Sequence, residues 1–459
     1  MVGARRGVDL GRAGGQNAGY CIGCRPGVSL LARGNLPGFG PAAMELYYTF
    51  SLLLVVAAAF AYLNFRFLHL PATIGLMVLA LVSSLGLVGL GRLGVPVVLR
   101  VVEVVRTIDF HTVLMQAMLS LLLFAGAIHL DGRNLGRQRV PVLLLATVGT
   151  LISTGMVGCG LYLLLPLFGL PLDFVYCLLF GSLISPTDPI AVMGILTQVG
   201  LPKALETQIV GESLFNDGVG VVLFATVLAL AGGGADVGVG HVLMLLLREG
   251  VGGLALGAGL GYTAHWLLTS IDNYKVEVLI TLALVLGGNT LAIYLHTSGP
   301  LAMVVAGLVI GSKGRRAMSD TTREYVDKFW EMLDEILNAL LFVLMGLEIL
   351  VLNISWLHVL VGLCTVAMVL VVRLVSVGLP LSLPQLRQHF TSNSLTILTW
   401  GGLRGGISVA LALSLPPVMP RELLVGITYV VVVVSILGQG LTIGPLVKRL
   451  QATGPAAEG

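Results

Sequence analysis

The chain has 459 residues, 56% of them hydrophobic and only 11% charged, with a net charge of +3. A soluble globular chain carries about 25% charged residues, so the composition excludes a soluble domain. A net charge this small argues against a nucleic-acid partner. What remains is an all-α polytopic membrane protein, with the lipid bilayer as its solvent. Its 60 glycines suit close helix packing in lipid.

Residues 1–43 are rich in Gly and Arg and hold no apolar run long enough for a signal peptide core. Met44 directly precedes the first membrane run. We therefore expect 1–43 to be a disordered leader or an artefactual start, 44–449 a transmembrane domain, and 450–459 a short cytoplasmic tail. Cys21 and Cys24 form a CxxC without the second pair a zinc site needs. Cys159, Cys177 and Cys364 stand in apolar spans and read as packing residues.

Thirteen apolar runs follow, at 46–64, 71–90, 111–130, 140–166, 174–199, 206–231, 241–268, 276–296, 299–312, 331–352, 355–380, 393–415 and 421–446. Most reach the ~20 residues that a bilayer core requires; the run 299–312 is short. The odd-numbered loops and the C-terminus carry fourteen Lys and Arg, against four in the even-numbered loops. The positive-inside rule then places the C-terminus in the cytoplasm and, with an odd span count, the N-terminus outside.

The fifth and sixth runs carry the chemistry. In SPTDP, Asp188 stands between Pro186 and Pro189. Each proline removes an N–H, which frees the carbonyls of Ser182 and Ser185, and residues before a proline are pushed towards extended backbone. This reads as a helix broken at membrane depth, where irregular backbone survives only if it is buried in protein or lines a cavity. Transporters place ion sites at such breaks. A carboxylate there costs roughly 2.5–3.5 kcal/mol or more, which marks it as functional.

GESLFND follows. Ser213 and Asp217 are four apart and share a helix face. Glu212 lies roughly 140° around the helix from Asp217, so it needs its own partner, an arginine on another span. Asn216 adds a neutral amide beside Asp217. Two arginines lie well inside apolar spans: Arg373 in VLVVRLVSV and Arg404 in TWGGLRGGISVAL. If spans 1–6 and 8–13 are inverted repeats, span 5 pairs with span 12. The proline-broken and glycine-rich helices then meet, and Arg404 is expected to neutralise Glu212, with Arg373 as a possible supporting charge.

SPTDP, then GESLFNDGVGVVLF, then GGLRGGIS together resemble the sodium/proton exchanger family, the electroneutral branch of the monovalent cation/proton antiporters. The resemblance runs from Met44 to about Arg449 and extends to FWEMLDEILNALLF and LMGLEI. It implies about 13 transmembrane helices with inverted repeats and broken helices crossing at mid-membrane. It also implies a homodimer in the cell (inner) membrane and elevator-like exchange of one cation for one proton, serving pH homeostasis. It implies Asp217 as the main ion and proton carboxylate. Asn216 stands where the electrogenic branch has a second aspartate, Asp188 and Thr187 lie at the crossing, and Glu212 and Arg404 match a buried ion pair. Some members carry an acid in the third span after LLF. Here LLFAGAIHL has Ala125, so that ligand is missing.

Na⁺ and Li⁺ prefer hard oxygen ligands, here Asp217, Ser213 and Thr187. A carboxylate holds either a cation or a proton, so competition for one Asp drives exchange with no cofactor. No GxxxxGK[ST] sequence argues for a pump. K⁺/H⁺ exchange is the alternative within this class. A cation channel or an intramembrane aspartyl protease would use the same two aspartates, although the protease GxGD motif is absent. His111, His129, His241, His265 and His296 mostly stand near span ends and read as interfacial polar residues.

Overall fold

A computed structural model describes residues 41–92, 113–232, 239–314, 318–352, 354–384, 390 and 393–453. By its contacts the chain divides into Met1–Glu45 and Leu46–Gly459. The leader reading, Cys21, Cys24 and His111 lie outside the described residues, and everything below concerns the second unit.

Each of the thirteen apolar runs carries helix. In chain order these are α1 (Phe50–Leu68), α2 (Ala72–Gly91), α3 (Leu119–His129), α4 (Gly132–Phe168), α5 (Phe174–Ile184) and α6 (Ile190–Val199). Next come α7 (Lys203–Ala231), α8 (Met244–Thr269), α9 (Tyr274–Leu295), α10 (Gly299–Gly314) and α11 (Asp320–Glu348). The last are α12 (Trp356–Leu381), α13 (Ser394–Gly401), α14 (Gly406–Leu413) and α15 (Arg421–Gln451). Among the described residues, eight helices are long and apolar enough to cross a membrane.

Two helices begin eight or more residues before their apolar runs. α4 starts at Gly132 and α11 at Asp320, within charged sequence that a hydropathy average passes over. Local capping sets both starts. The Asp131 carboxylate accepts the Arg133 N–H at 2.9 Å, and the Ser319 hydroxyl accepts the Thr322 N–H at 3.3 Å. Each satisfies a donor that a first helical turn leaves unpaired.

Two runs are interrupted, one between α5 and α6 and one between α13 and α14. Asp188 N–H donates to the Leu403 carbonyl at 2.8 Å, a single antiparallel bridge between the two breaks. Glycine makes this approach possible. A Cβ on Gly405 would collide with the Asp188 carboxylate, and one on Gly402 would lie 2.6 Å from Arg373 Nε.

Small residues also set the packing around the crossing. Gly253, Gly257 and Gly261 form one stripe of α8 against the backbone of Ala302 and Ala306 on α10 and of Ser298, which caps α10. This is the small-residue contact expected where lipid offers no hydrophobic drive between helices. On α7, a Cβ on Gly220 would collide with the Pro186 ring. That ring is rigid and sits in the break itself. By contrast, a Cβ on Gly259 would meet nothing within 4 Å. Gly220→Ala is therefore expected to cost about 1–3 kcal/mol by overpacking, while Gly259→Ala costs nothing. Melting temperatures of the two variants in detergent check this; equal values would remove Pro186 as the contact that requires glycine.

Candidate functional site

Six helices and the two breaks bring the site together. α7 runs unbroken beside the crossing and presents Glu212, Ser213, Asn216 and Asp217, all buried. The α5–α6 break presents Thr187 and Asp188, also buried. A cavity of about 430 Å³ opens against them, and both Asp188 and Asp217 line it. Its walls include Leu119, Leu122, Leu123 and Ala125 of α3 and Leu341 of α11.

Asp217 is only 7% exposed, and its carboxylate makes no hydrogen bond or ion pair among the described residues. The Asp188 charge acts on it directly. Asp188 differs: its Oδ1 accepts the Ile190 N–H at 2.8 Å, which caps the start of α6. A buried ionised carboxylate without a partner is costly, so Asp217 is the position where a cation or a proton would be most stabilising.

Thr187, Ser213 and Asn216 form a hydrogen-bonded group but do not line the cavity. Asn216 Oδ1 accepts the Thr187 N–H at 3.3 Å, and Asn216 Nδ2 donates to Thr187 Oγ1 at 2.9 Å. The Thr187 and Ser213 hydroxyls are 3.3 Å apart. The amide thus uses one acceptor and one donor to hold Thr187.

The expected pair of Glu212 with Arg404 is not formed. Glu212 instead takes Arg373 of α12 in a two-pronged contact, Nη1 to Oε1 at 2.5 Å and Nη2 to Oε2 at 3.0 Å. Both side chains are buried, Arg373 at 8% and Glu212 at 1% exposed. A planar guanidinium matches a carboxylate in this geometry. Arg404 reaches the α5–α6 break instead. Its Nη1 donates to the carbonyl of Ser185 and, at 3.0 Å, to that of Pro186. Its own backbone N–H donates to Ser435 Oγ at 3.0 Å. The carbonyl that proline frees at Ser185 is therefore met by an arginine. Glu212 still acts on Arg404 through its charge, without contact.

Sequence reasoning missed Asp334 and Glu331 of α11, which line the same cavity, as does His129 at the end of α3. His129 is not merely an interfacial polar residue: its Nδ1 lies 2.6 Å from the Ala125 carbonyl and its Nε2 3.4 Å from that of Asp327. The signal for the acids is spacing, since Asp327, Glu331 and Asp334 recur at four and three residues on one helix face. Cys177 is buried in apolar surroundings, while Cys159 is exposed.

Known proteins resemble this chain. The family model described as sodium/hydrogen exchanger, transmembrane, matches residues 54–449. The Na(+)/H(+) antiporter NhaP of Pseudomonas aeruginosa is 54% identical over 400 residues, covering 86% of this chain and 94% of that protein. The Na(+)/H(+) antiporter NhaH of Halobacillus dabanensis is 38% identical over 350 residues, covering 74% and 84%. The solved structure of the sodium proton antiporter MjNhaP1 from Methanocaldococcus jannaschii at pH 8 superposes with a TM-score of 0.71. It is 21% identical, covering 89% of this chain and 99% of that one, and the likeness establishes the fold.

The observed pairing sets an expectation for stability. Breaking a buried ion pair typically costs about 3–5 kcal/mol because a lone charge is left behind. Glu212→Gln and Arg373→Gln should each lower the melting temperature in detergent, and the double variant should lose less than the two losses added. A cycle on Glu212 and Arg404 should show much weaker coupling. Additive losses at Glu212 and Arg373 would mean that the pair contributes nothing.

Proposed function

The chain belongs to the transmembrane sodium/hydrogen exchanger family, and on that premise we propose that Asp217 binds Na⁺ and H⁺ in alternation as the protein exchanges one for the other. The protein is a multi-pass membrane protein and a secondary antiporter, not an enzyme. The observation that carries the role of Asp217 is its isolation: a carboxylate more than nine-tenths buried, without a hydrogen bond among the described residues, on a cavity wall.

Charge balance supports one-for-one exchange. The crossing holds three carboxylates (Asp188, Asp217 and Glu212) and two guanidiniums (Arg373 and Arg404). With all five ionised, one negative charge is uncompensated. One Na⁺ or one H⁺ cancels it, and both together would overshoot. The same arithmetic makes transport electroneutral. Na⁺ is held by Asp217 on the cavity wall, and the hydroxyls of Ser213 and Thr187, set back from that wall, are the hard oxygens that would complete its shell. Asp188 contributes its charge and caps α6, and Asn216 positions Thr187. Glu212 with Arg373, and Arg404 with the freed carbonyls, brace the crossing.

In this reading the thirteen helical runs are thirteen crossings arranged as inverted repeats, with α5–α6 matching α13–α14. The excess of Lys and Arg in odd-numbered loops supports a cytoplasmic C-terminus and an N-terminus outside. The protein acts as a homodimer in the cell (inner) membrane.

Two measurements test the mechanism. In everted vesicles carrying a pH gradient, added Na⁺ should dissipate the gradient through the native protein. Asp217→Asn should lose at least about 100-fold of this rate, as expected when the group that holds the proton is removed, while still eluting as a folded protein in detergent. Robust exchange by that variant would remove Asp217 from the centre. In proteoliposomes with the potential clamped by valinomycin and K⁺, Na⁺/H⁺ exchange should not change with voltage; a strong voltage dependence would refute the one-for-one balance. Repeating the vesicle assay with Li⁺ and K⁺ ranks the cations.

A further inference from the structure

The cavity that reaches Asp217 has a second acidic wall. Along one face of α11, Glu331 is exposed, Asp334 is half-buried and Asn338 is buried. Glu331 and Asp334 line the cavity with Asp188 and Asp217. The Asn338 side chain lies within hydrogen-bonding reach of Asp334, and the charges of His129 and Asp188 act on it. On the facing wall α3 presents Ala125, Gly126 and apolar side chains, with His129 as its polar group. A neighbouring cavity of about 300 Å³ shares Gly126, His129 and Val210 with this one and is lined further out by Asp131, Asn134, Lys203 and Glu206. The acidic face of α11 therefore shares one cavity with the unpartnered, buried Asp217.

We propose that Asp334 is a second cation-binding residue, a station that holds the incoming monovalent cation in the cavity before Asp217 takes it. It provides from α11 the carboxylate that α3 lacks at Ala125. The inference rests on the exchange reading above. A hydrated Na⁺ entering an otherwise apolar cavity leaves bulk water, and a carboxylate part-way along lowers that cost. Asp334 is half-buried beside Asn338, without the isolation of Asp217. Glu331, further out and exposed, adds a weaker, screened attraction. The station binds the cation and does not exchange its own proton in the cycle, so the overall stoichiometry is unchanged.

The test uses the full chain in proteoliposomes, with NaCl and LiCl as probes, and reads the apparent KM and the maximal rate separately. Asp334→Asn should raise the KM for Na⁺ on the order of fivefold, the effect of one carboxylate acting across a partly wet cavity. The maximal rate should stay within about twofold, since Asp217 still performs the exchange. Asp334→Glu should restore the native KM, and Ala125→Glu placed in the Asp334→Asn chain should restore it at least in part. A native KM in Asp334→Asn would overturn the proposal. So would loss of the maximal rate in a variant that elutes as a folded protein, and so would failure of both rescuing variants. Absence of any Na⁺ response in the native protein would instead overturn the exchange reading itself, so the two failures are distinguishable.

Discussion

The hydrogen bond from Asp188 N–H to the Leu403 carbonyl is the constraint on which the site depends. It forms only because both chains have stopped being helical at that depth. Breaking two helices inside a membrane protein exposes peptide groups that lipid cannot satisfy, so each must be met by protein. The ends of the half-helices are met by charges of the appropriate sign. Asp188 lies at the start of α6, where N–H groups are unpaired, and accepts from Ile190. Arg404 lies past the end of α5, where carbonyls are unpaired, and donates to Ser185 and Pro186. Helix ends carry partial charges of about half an electron that favour this placement. The crossing is thus an electrostatic object before it is an ion site.

That object decides which charges remain for transport. Glu212 and Arg373 consume each other through two contacts. Arg404 is solvated by neutral carbonyls, which lower its cost without cancelling its charge. Its positive field is therefore left to offset one of the two aspartates. Had Arg404 paired with Glu212 and left Arg373 elsewhere, the freed carbonyls of the break would have lost their donor. The pairing observed satisfies the ion pair and the broken backbone together. It also leaves Asp217 as a buried carboxylate on the cavity wall with no hydrogen bond among the described residues.

Much of this is legible in the order of the residues. The two prolines around Asp188 announce a break, and the freed Ser185 carbonyl follows from Pro189 alone. The four-residue spacing of Ser213 and Asp217 puts them on one face, and the large angle to Glu212 demands a separate partner. Which arginine serves as that partner is not legible. Arg373 and Arg404 both sit in apolar spans, and only the approach of α12 to Glu212 and the geometry of the crossing distinguish them. Asp334 is hidden for another reason. It lies near the edge of an apolar run whose charged approach reads as a loop, yet local capping at Ser319 carries the helix back to Asp320, well upstream of that run. Hydropathy finds lipid-facing length, whereas the acidic face of α11 is turned to a cavity.

The residue beside Asp217 shows how closely charge and hydrogen bonding are joined here. Asn216 accepts from the Thr187 N–H and donates to the Thr187 hydroxyl. An ionised aspartate at that position is an acceptor only. It would keep the first contact, lose the second, and turn the Thr187 hydroxyl around to donate. It would also add a negative charge to a crossing that already carries one more than its arginines cancel. A second cation or proton would then be needed to reach neutrality, and one ion would no longer balance the site. The amide therefore does two things with one group: it fixes the hydroxyl that faces Ser213, and it adds no further charge to the count on which the proposed one-for-one exchange rests.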